Sequence, residues 1–210
     1  MDVHPPHQPI LSFKEAVVHL AIVTVGILIA LSLEGLLEWI HHRHMIREAN
    51  ENITRELEGN RNELQDFLKA VPELRSNETQ IVTFINAMLA HNAPATGKLK
   101  LGFVRSDLSD SSWTTAQTTG ALGLMRYQDV KRYASAYELQ SEFMRLQENT
   151  TDAVISALTA FNLNVSPDKL PPDDLRQERE KVMTVMSNLQ AEEQIGQALD
   201  KRYLTALGKH

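Results

Sequence analysis

At 210 residues, with 27 acidic against 21 basic side chains and a net charge of -6, the chain has no basic field to hold a nucleic-acid backbone, and its lysines and arginines alternate with acids. It contains no cysteine, which excludes disulfides, thiolate zinc sites, iron–sulfur ligation and cysteine nucleophiles together. The length suits one membrane segment plus one compact domain, and few aromatics (6%) and few glycines (9) beside abundant Ala, Leu, Glu and Gln are a helical composition.

Residues 1–11 hold Pro5, Pro6 and Pro9 with His4 and His7, and read as an extended tail. Ser12 as N-cap and Glu15 three residues on form a capping box that opens the first helix. Residues 12–40 are expected to be a transmembrane anchor helix. The stretch from Ala16 to Leu33 has no Asp, Glu, Lys or Arg and covers roughly 27 Å, against a hydrocarbon core of about 30 Å. Apolar character resumes in Leu36, Leu37, Trp39 and Ile40. A weakly basic start and the lack of a small-residue cleavage site favour a permanent anchor over a signal peptide. With Lys14 on one flank and Arg43, Arg47 and Arg55 on the other, the positive-inside rule puts the C-terminal domain on the cytoplasmic side of an inner membrane.

Beyond the anchor, Ile46, Ile53, Leu57, Leu64, Phe67 and Val71 recur at steps of three and four, with Asn50 and Asn60 on the same stripe. This predicts an amphipathic stem continuous with the anchor and ending at Pro72; Glu56, Arg61 and the other charged positions belong to its solvated face. Asn60 is either a buried residue fixing helix register or a stripe-edge residue reaching water. A second helix follows from Pro72 to Ala90, with Leu74, Ile81, Ile85, Met88 and Leu89 inward. "HNAPATGKLKLGF" breaks it, and the alternating "KLKLGFV" is at most a marginal lone strand. A short helix carrying Trp113, capped by Asp107 or Ser109, ends near Gly120 or Gly123. A long helix spans Tyr127 to about Phe161, and Pro172 with Asp173 and Asp174 starts a last one, whose apolar positions fall in two phases across a polar stretch. The fold class is all-α, with residues 41–210 forming a four- to five-helix bundle domain behind one N-terminal transmembrane helix.

The stretch "LSLEGLLEWIHHRH", residues 31–44, gathers the candidate site. Glu34, Glu38, His41 and His42 share a helical face, and Glu38-x-x-His41 has the form of a di-iron ligand pair. A di-iron centre needs two such motifs and further carboxylates, and the sequence has no second one, so no metal or other cofactor is expected and Glu38, His41 and His42 are only metal candidates. The plainer reading sets Trp39 in the aromatic belt, with His41, His42 and Arg43 at the headgroups and Glu38 paired to one of them. Glu34 lies deepest and must snorkel, protonate or meet a partner. Gly26 and Ala30 make a small-x-x-x-small helix-packing face. The serines and threonines around Trp113 serve capping and packing, since no nucleophile elbow is present.

Two stretches, "HPPHQPILSFKEAVVHLAIVTVGILIALSLEGLLEWIHHRHMIREANENI" and, less clearly, "SSWTTAQTTGALGLMRYQDVKRYASAYELQSEF", resemble a group of uncharacterised bacterial proteins with one N-terminal membrane helix and a helical remainder. The resemblance implies a bacterial membrane anchor and a bundle, and brings no activity. The expected function is a non-enzymatic, membrane-anchored scaffold or accessory subunit of a larger complex, of respiratory or photosynthetic type for example. Its partners are the lipid bilayer and other membrane proteins or a second copy, without nucleic acid. Contacts are expected at Gly26, Ala30, Glu34, Glu38, Trp39 and Arg43, with Ile46, Ile53, Leu57, Asn60, Leu64 and Phe67 as the stem interface. The alternatives are a sensor that transmits a signal through the stem, and a metal-binding protein built on the Glu/His cluster.

Overall fold

A computed structural model describes residues 13–91, 100–161 and 170–209; the N-terminal tail, the Ser12 cap and the start of the alternating stretch lie outside them. The chain is all-α: α1 (Phe13–Leu89), α2 (Ser111–Thr118), α3 (Ala121–Leu124), α4 (Tyr127–Phe161) and α5 (Pro172–Ala206). Among the described residues no strand occurs, and those of "KLKLGFV" that are described are extended but unpaired. The chain divides into two units, residues 1–47 and 48–210.

In the first unit, every side chain from Phe13 to His41 is exposed. This part of α1 is long and apolar enough to cross a membrane. Two of its hydroxyls are locally satisfied: those of Thr24 and Ser32 donate to the carbonyls of Leu20 and Leu28, one turn back.

In the second unit, α1, α4 and α5 each bury a stripe with alternating steps of three and four, the heptad spacing of interlocking helices. On α1 it runs Ile53, Leu57, Asn60, Leu64, Phe67, Val71, Glu78, Ile81 and Ile85. On α4 it includes Tyr133, Ala136, Gln140, Phe143, Gln147, Thr150, Val154 and Ala157. On α5 it runs unbroken from Leu175 to Ala206 through Glu178, Val182, Val185, Leu189, Glu192, Gly196, Leu199 and Tyr203. The pairings set the directions. Asn60 meets Gln140, and Ile81 and Ile85 meet Val154 and Ala157, so α1 and α4 run parallel. Arg61 meets Asp200, Arg75 meets Glu193 and Asn86 meets Arg179, so α5 runs antiparallel to α1.

The fourth side is no long helix. The segment from Leu101 to Ser109 passes back along α1 in extended form, from Leu101 on the Ile81/Ile85 cluster, past Ser106 at Gln147, to Ser109 at Asn60. α2 then begins beside Glu56.

Three expectations are corrected. α1 does not stop at Pro72 but passes through it to Leu89. Proline costs about 3 kcal/mol in a helix interior, whereas burying Ile81 and Ile85 in phase with Val71 contributes roughly 1.5–3 kcal/mol for each side chain. Pro72 itself faces solvent, and the stripe crosses it without a change of phase. The N-cap position of α2 is neither Asp107 nor Ser109 but Asp110, which makes no side-chain bond; Ser109 Oγ, just before it, accepts from the Ser111 N–H at 3.3 Å, and Glu56 from α1 accepts from the Ser112 N–H. Gly120, at φ 77°, turns the chain from α2 into α3. Finally, the two apolar phases of α5 are one stripe, because polar Glu178 and Glu192 and small Gly196 fill its missing positions.

Candidate functional site

At the exit of the apolar stretch, helical spacing brings Glu38 and His42 together, Oε1 to Nε2 at 3.8 Å. The glutamate pairs with the histidine four residues on, not with His41 in the E-x-x-H spacing. The His41 and His42 rings stand 6.4 Å apart at 45°. Arg43 lies over the Trp39 ring, 4.8 Å from its centroid, a cation–π contact within one helical turn. Trp39, Ile40, Arg43, His44, Ile46 and Arg47 line an open groove along this turn. One helical turn above, Glu34 is exposed among Leu33, Leu36 and Leu37, each more than half exposed. A Cβ added at Gly26 would meet nothing within 4 Å, so the Gly26/Ala30 face is open. Among the described residues no group of three or more His, Asp or Glu side chains is placed to hold a metal ion.

The stem residues have a different setting. Ile53, Leu57, Leu64 and Phe67 are buried in the chain's own core, Phe67 edge-on to Phe143 at 5.4 Å, while Ile46 is half-buried. Asn60 is buried and engaged, so it is not a stripe-edge residue. Its Nδ2 donates to the Ser109 carbonyl (2.6 Å) and to Gln140 Oε1 (3.0 Å), and its Oδ1 accepts from the Ser109 N–H (2.9 Å). Gln147 repeats the arrangement at Ser106, accepting from its N–H at 3.1 Å and donating to its carbonyl at 3.0 Å. Gln140 adds a bond to the Ser109 carbonyl and accepts from the Tyr203 hydroxyl at 2.7 Å. These amides read the backbone of the extended segment as a neighbouring strand would, which satisfies the buried peptide groups of Ser106 and the part-buried ones of Ser109.

No protein-family model, curated protein or solved structure matches the chain. Its chemistry is therefore read from its own residues.

Glu56 is the group the sequence misplaced. It sits not on a solvated face but at the centre of a network, accepting from the Ser109 and Ser111 hydroxyls, the Ser112 N–H and the Tyr137 hydroxyl. Burial raises its pKa, but the Ser112 N–H, Tyr137, Ser111 and Ser109 together outweigh that and hold it below its ordinary value. Trp113 stacks on Tyr137 at 5.3 Å, closing the network from α2. Further along, Glu78 and Glu192 are buried on facing helices. Neither was singled out, since a lone glutamate in a helical stripe resembles any surface acid; only the strict heptad spacing of α5 marks Glu192 as inward.

Proposed function

We propose that the chain is a single-pass protein of a bacterial inner membrane that acts without catalysis, as a scaffold or accessory subunit of a larger membrane complex, respiratory or photosynthetic in type. The observation that carries this reading is the contrast within α1. From Phe13 to His41 its apolar side chains are all exposed, and from Ile53 to Ile85 one stripe is buried. An apolar surface of that extent has no stable place in water and fits lipid or another membrane helix. The Trp39/Arg43 stack and the Glu38–His42 pair suit the headgroup level. The three flank arginines favour a cytoplasmic C-terminal domain, a helical bundle in this reading. The interior amides support a structural task, since Asn60, Gln140 and Gln147 are occupied with the chain's own backbone. Docking runs through Gly26, Ala30 and Glu34, because a carboxyl in an apolar helix face gains most from a partner at that depth.

The unbroken helix of α1 also favours a second reading, a sensor passing movement along that helix to an external output protein. The first test is alkaline extraction of membranes. The full chain is expected to stay in the pellet, while residues 46–210 alone go to the supernatant with a strongly helical circular dichroism spectrum. Release of the full chain would refute the anchor, and a β spectrum would refute the bundle.

A further inference from the structure

The stripe that locks α5 against α1 and α4 contains two acids with no base bonded to them. Glu78 on α1 is 2% exposed and Glu192 on α5 is 1% exposed. Glu78 Oε2 and Glu192 Oε1 have no hydrogen-bond partner. Glu178, on the same face of α5, also has an unpartnered Oε2, but its Oε1 is ion-paired with Lys181 at 2.7 Å. No such cation serves the other two. Arg75, one turn before Glu78, acts on it only through its field, because its guanidinium is bonded to Glu193 at the rim. From α4 the facing group is the Thr150 hydroxyl, which approaches Glu192 and donates its own hydrogen to the Leu146 carbonyl. That contact works against burial and lowers the Glu192 pKa, but burial is the larger effect and leaves it raised.

Charged carboxylates in this setting carry desolvation uncompensated by a counter-ion and repel one another across the α1/α5 contact; neutral acids avoid both costs. We propose that Glu78 and Glu192 are a proton-operated latch: protonated, they let α5 close on α1, and deprotonated, they release the distal half of α5 from the Ile81, Ile85, Val182 and Val185 cluster. The proximal half stays closed, since Asn60, Gln140, Tyr203 and the Arg61–Asp200 pair hold it by bonds that do not depend on these protons. The latch stands independently of the scaffold reading and would equally serve a sensor.

The pH window follows from burial, which pushes the Glu78 carboxyl up to about 7 from an ordinary 4.5, with Arg75 lowering it and Glu192 raising it further; burial likewise raises Glu192. The folded state then binds more protons than the unfolded one between these values. Stability is therefore full below about pH 4.5 as far as this pair is concerned, and is lost as pH rises through about 7.

The test is thermal unfolding of the full chain in detergent micelles, followed by circular dichroism, for the native sequence, Glu78→Gln and Glu192→Gln. From about pH 5 to about pH 8 the native Tm is expected to fall by roughly 5 °C or more, and each variant to lose at least half of that fall and to melt at or above the native chain at pH 8. Where a variant does not fold, hydrogen exchange on the native chain decides. At pH 8, amides of residues 78–89 and 178–192 should lose protection relative to pH 5, after correction for intrinsic rates, while residues 53–67 keep theirs. A native Tm that is flat or rises over this range, variants that keep the native slope, or protection lost evenly along α1 would overturn the latch.

Discussion

Asn60→Ala is expected to destabilise the chain by about 2–3 kcal/mol, the sum of the three hydrogen bonds its amide makes. In the native protein the Ser109 N–H donates to Asn60 Oδ1, whereas the Ser109 carbonyl accepts from both Asn60 and Gln140. Truncation leaves the carbonyl with Gln140 and removes all three Asn60 bonds, each contributing about 0.5–1.5 kcal/mol, from a side chain that is itself buried. Asn62→Ala, two residues on and exposed, is expected to change stability by no more than about 0.5 kcal/mol. Urea unfolding of the two variants in micelles measures the difference. Equal midpoints would show that the extended segment is not held by this amide.

The second large effect is at Gly196, where side chains of α1 and α4 pack directly against the backbone of α5. A Cβ there would lie 3.2 Å from Leu68 Cδ2 and 3.4 Å from Leu64 Cδ1 and Phe143 Cε2. Gly196→Ala sets a helix-propensity gain of ~1 kcal/mol against this crowding, and the two should nearly cancel. Gly196→Leu adds three more carbons where Leu64, Leu68 and Phe143 already fill the space, and is expected to cost about 3 kcal/mol or more. Gly59, with nothing within 4 Å of its Cβ position, is the control: Gly59→Ala should stabilise by up to ~1 kcal/mol. Thermal unfolding of the three variants checks the order. A Gly196→Leu chain that melts like the native one would show that the helices are not packed this closely.

Elements with strong apolar periodicity were legible from composition and spacing. Ile53, Leu57, Leu64 and Phe67 fall on one stripe in the sequence and are buried in the structure. The helix of Pro172 begins where its proline and two acids predict. What stayed hidden was decided by tertiary partners. Pro72 is a local stop signal overridden by burial beyond it. The stripe of α5 was split because Glu178, Glu192 and Gly196 do not count as apolar, although geometry makes them inward. The extended segment 101–109 shows only a short alternation at its start, and its order comes from Asn60, Gln140 and Gln147 on distant helices. Glu56 looked like one charge among many until Ser109, Ser111, Ser112 and Tyr137 converged on it. At the end of the apolar stretch, by contrast, helical spacing alone was enough to bring Glu38 to His42.

The most direct measurement of the proposed role is purification of the tagged full chain from its native membrane in a gentle detergent, with mass spectrometry of what co-purifies, for the native sequence, Glu34→Gln and Glu38→Gln. The account predicts a larger complex in fixed stoichiometry, weakened by Glu34→Gln, which lies deeper on the apolar face, and retained by Glu38→Gln, whose carboxylate already has His42. A chain that elutes alone from all three preparations would contradict it.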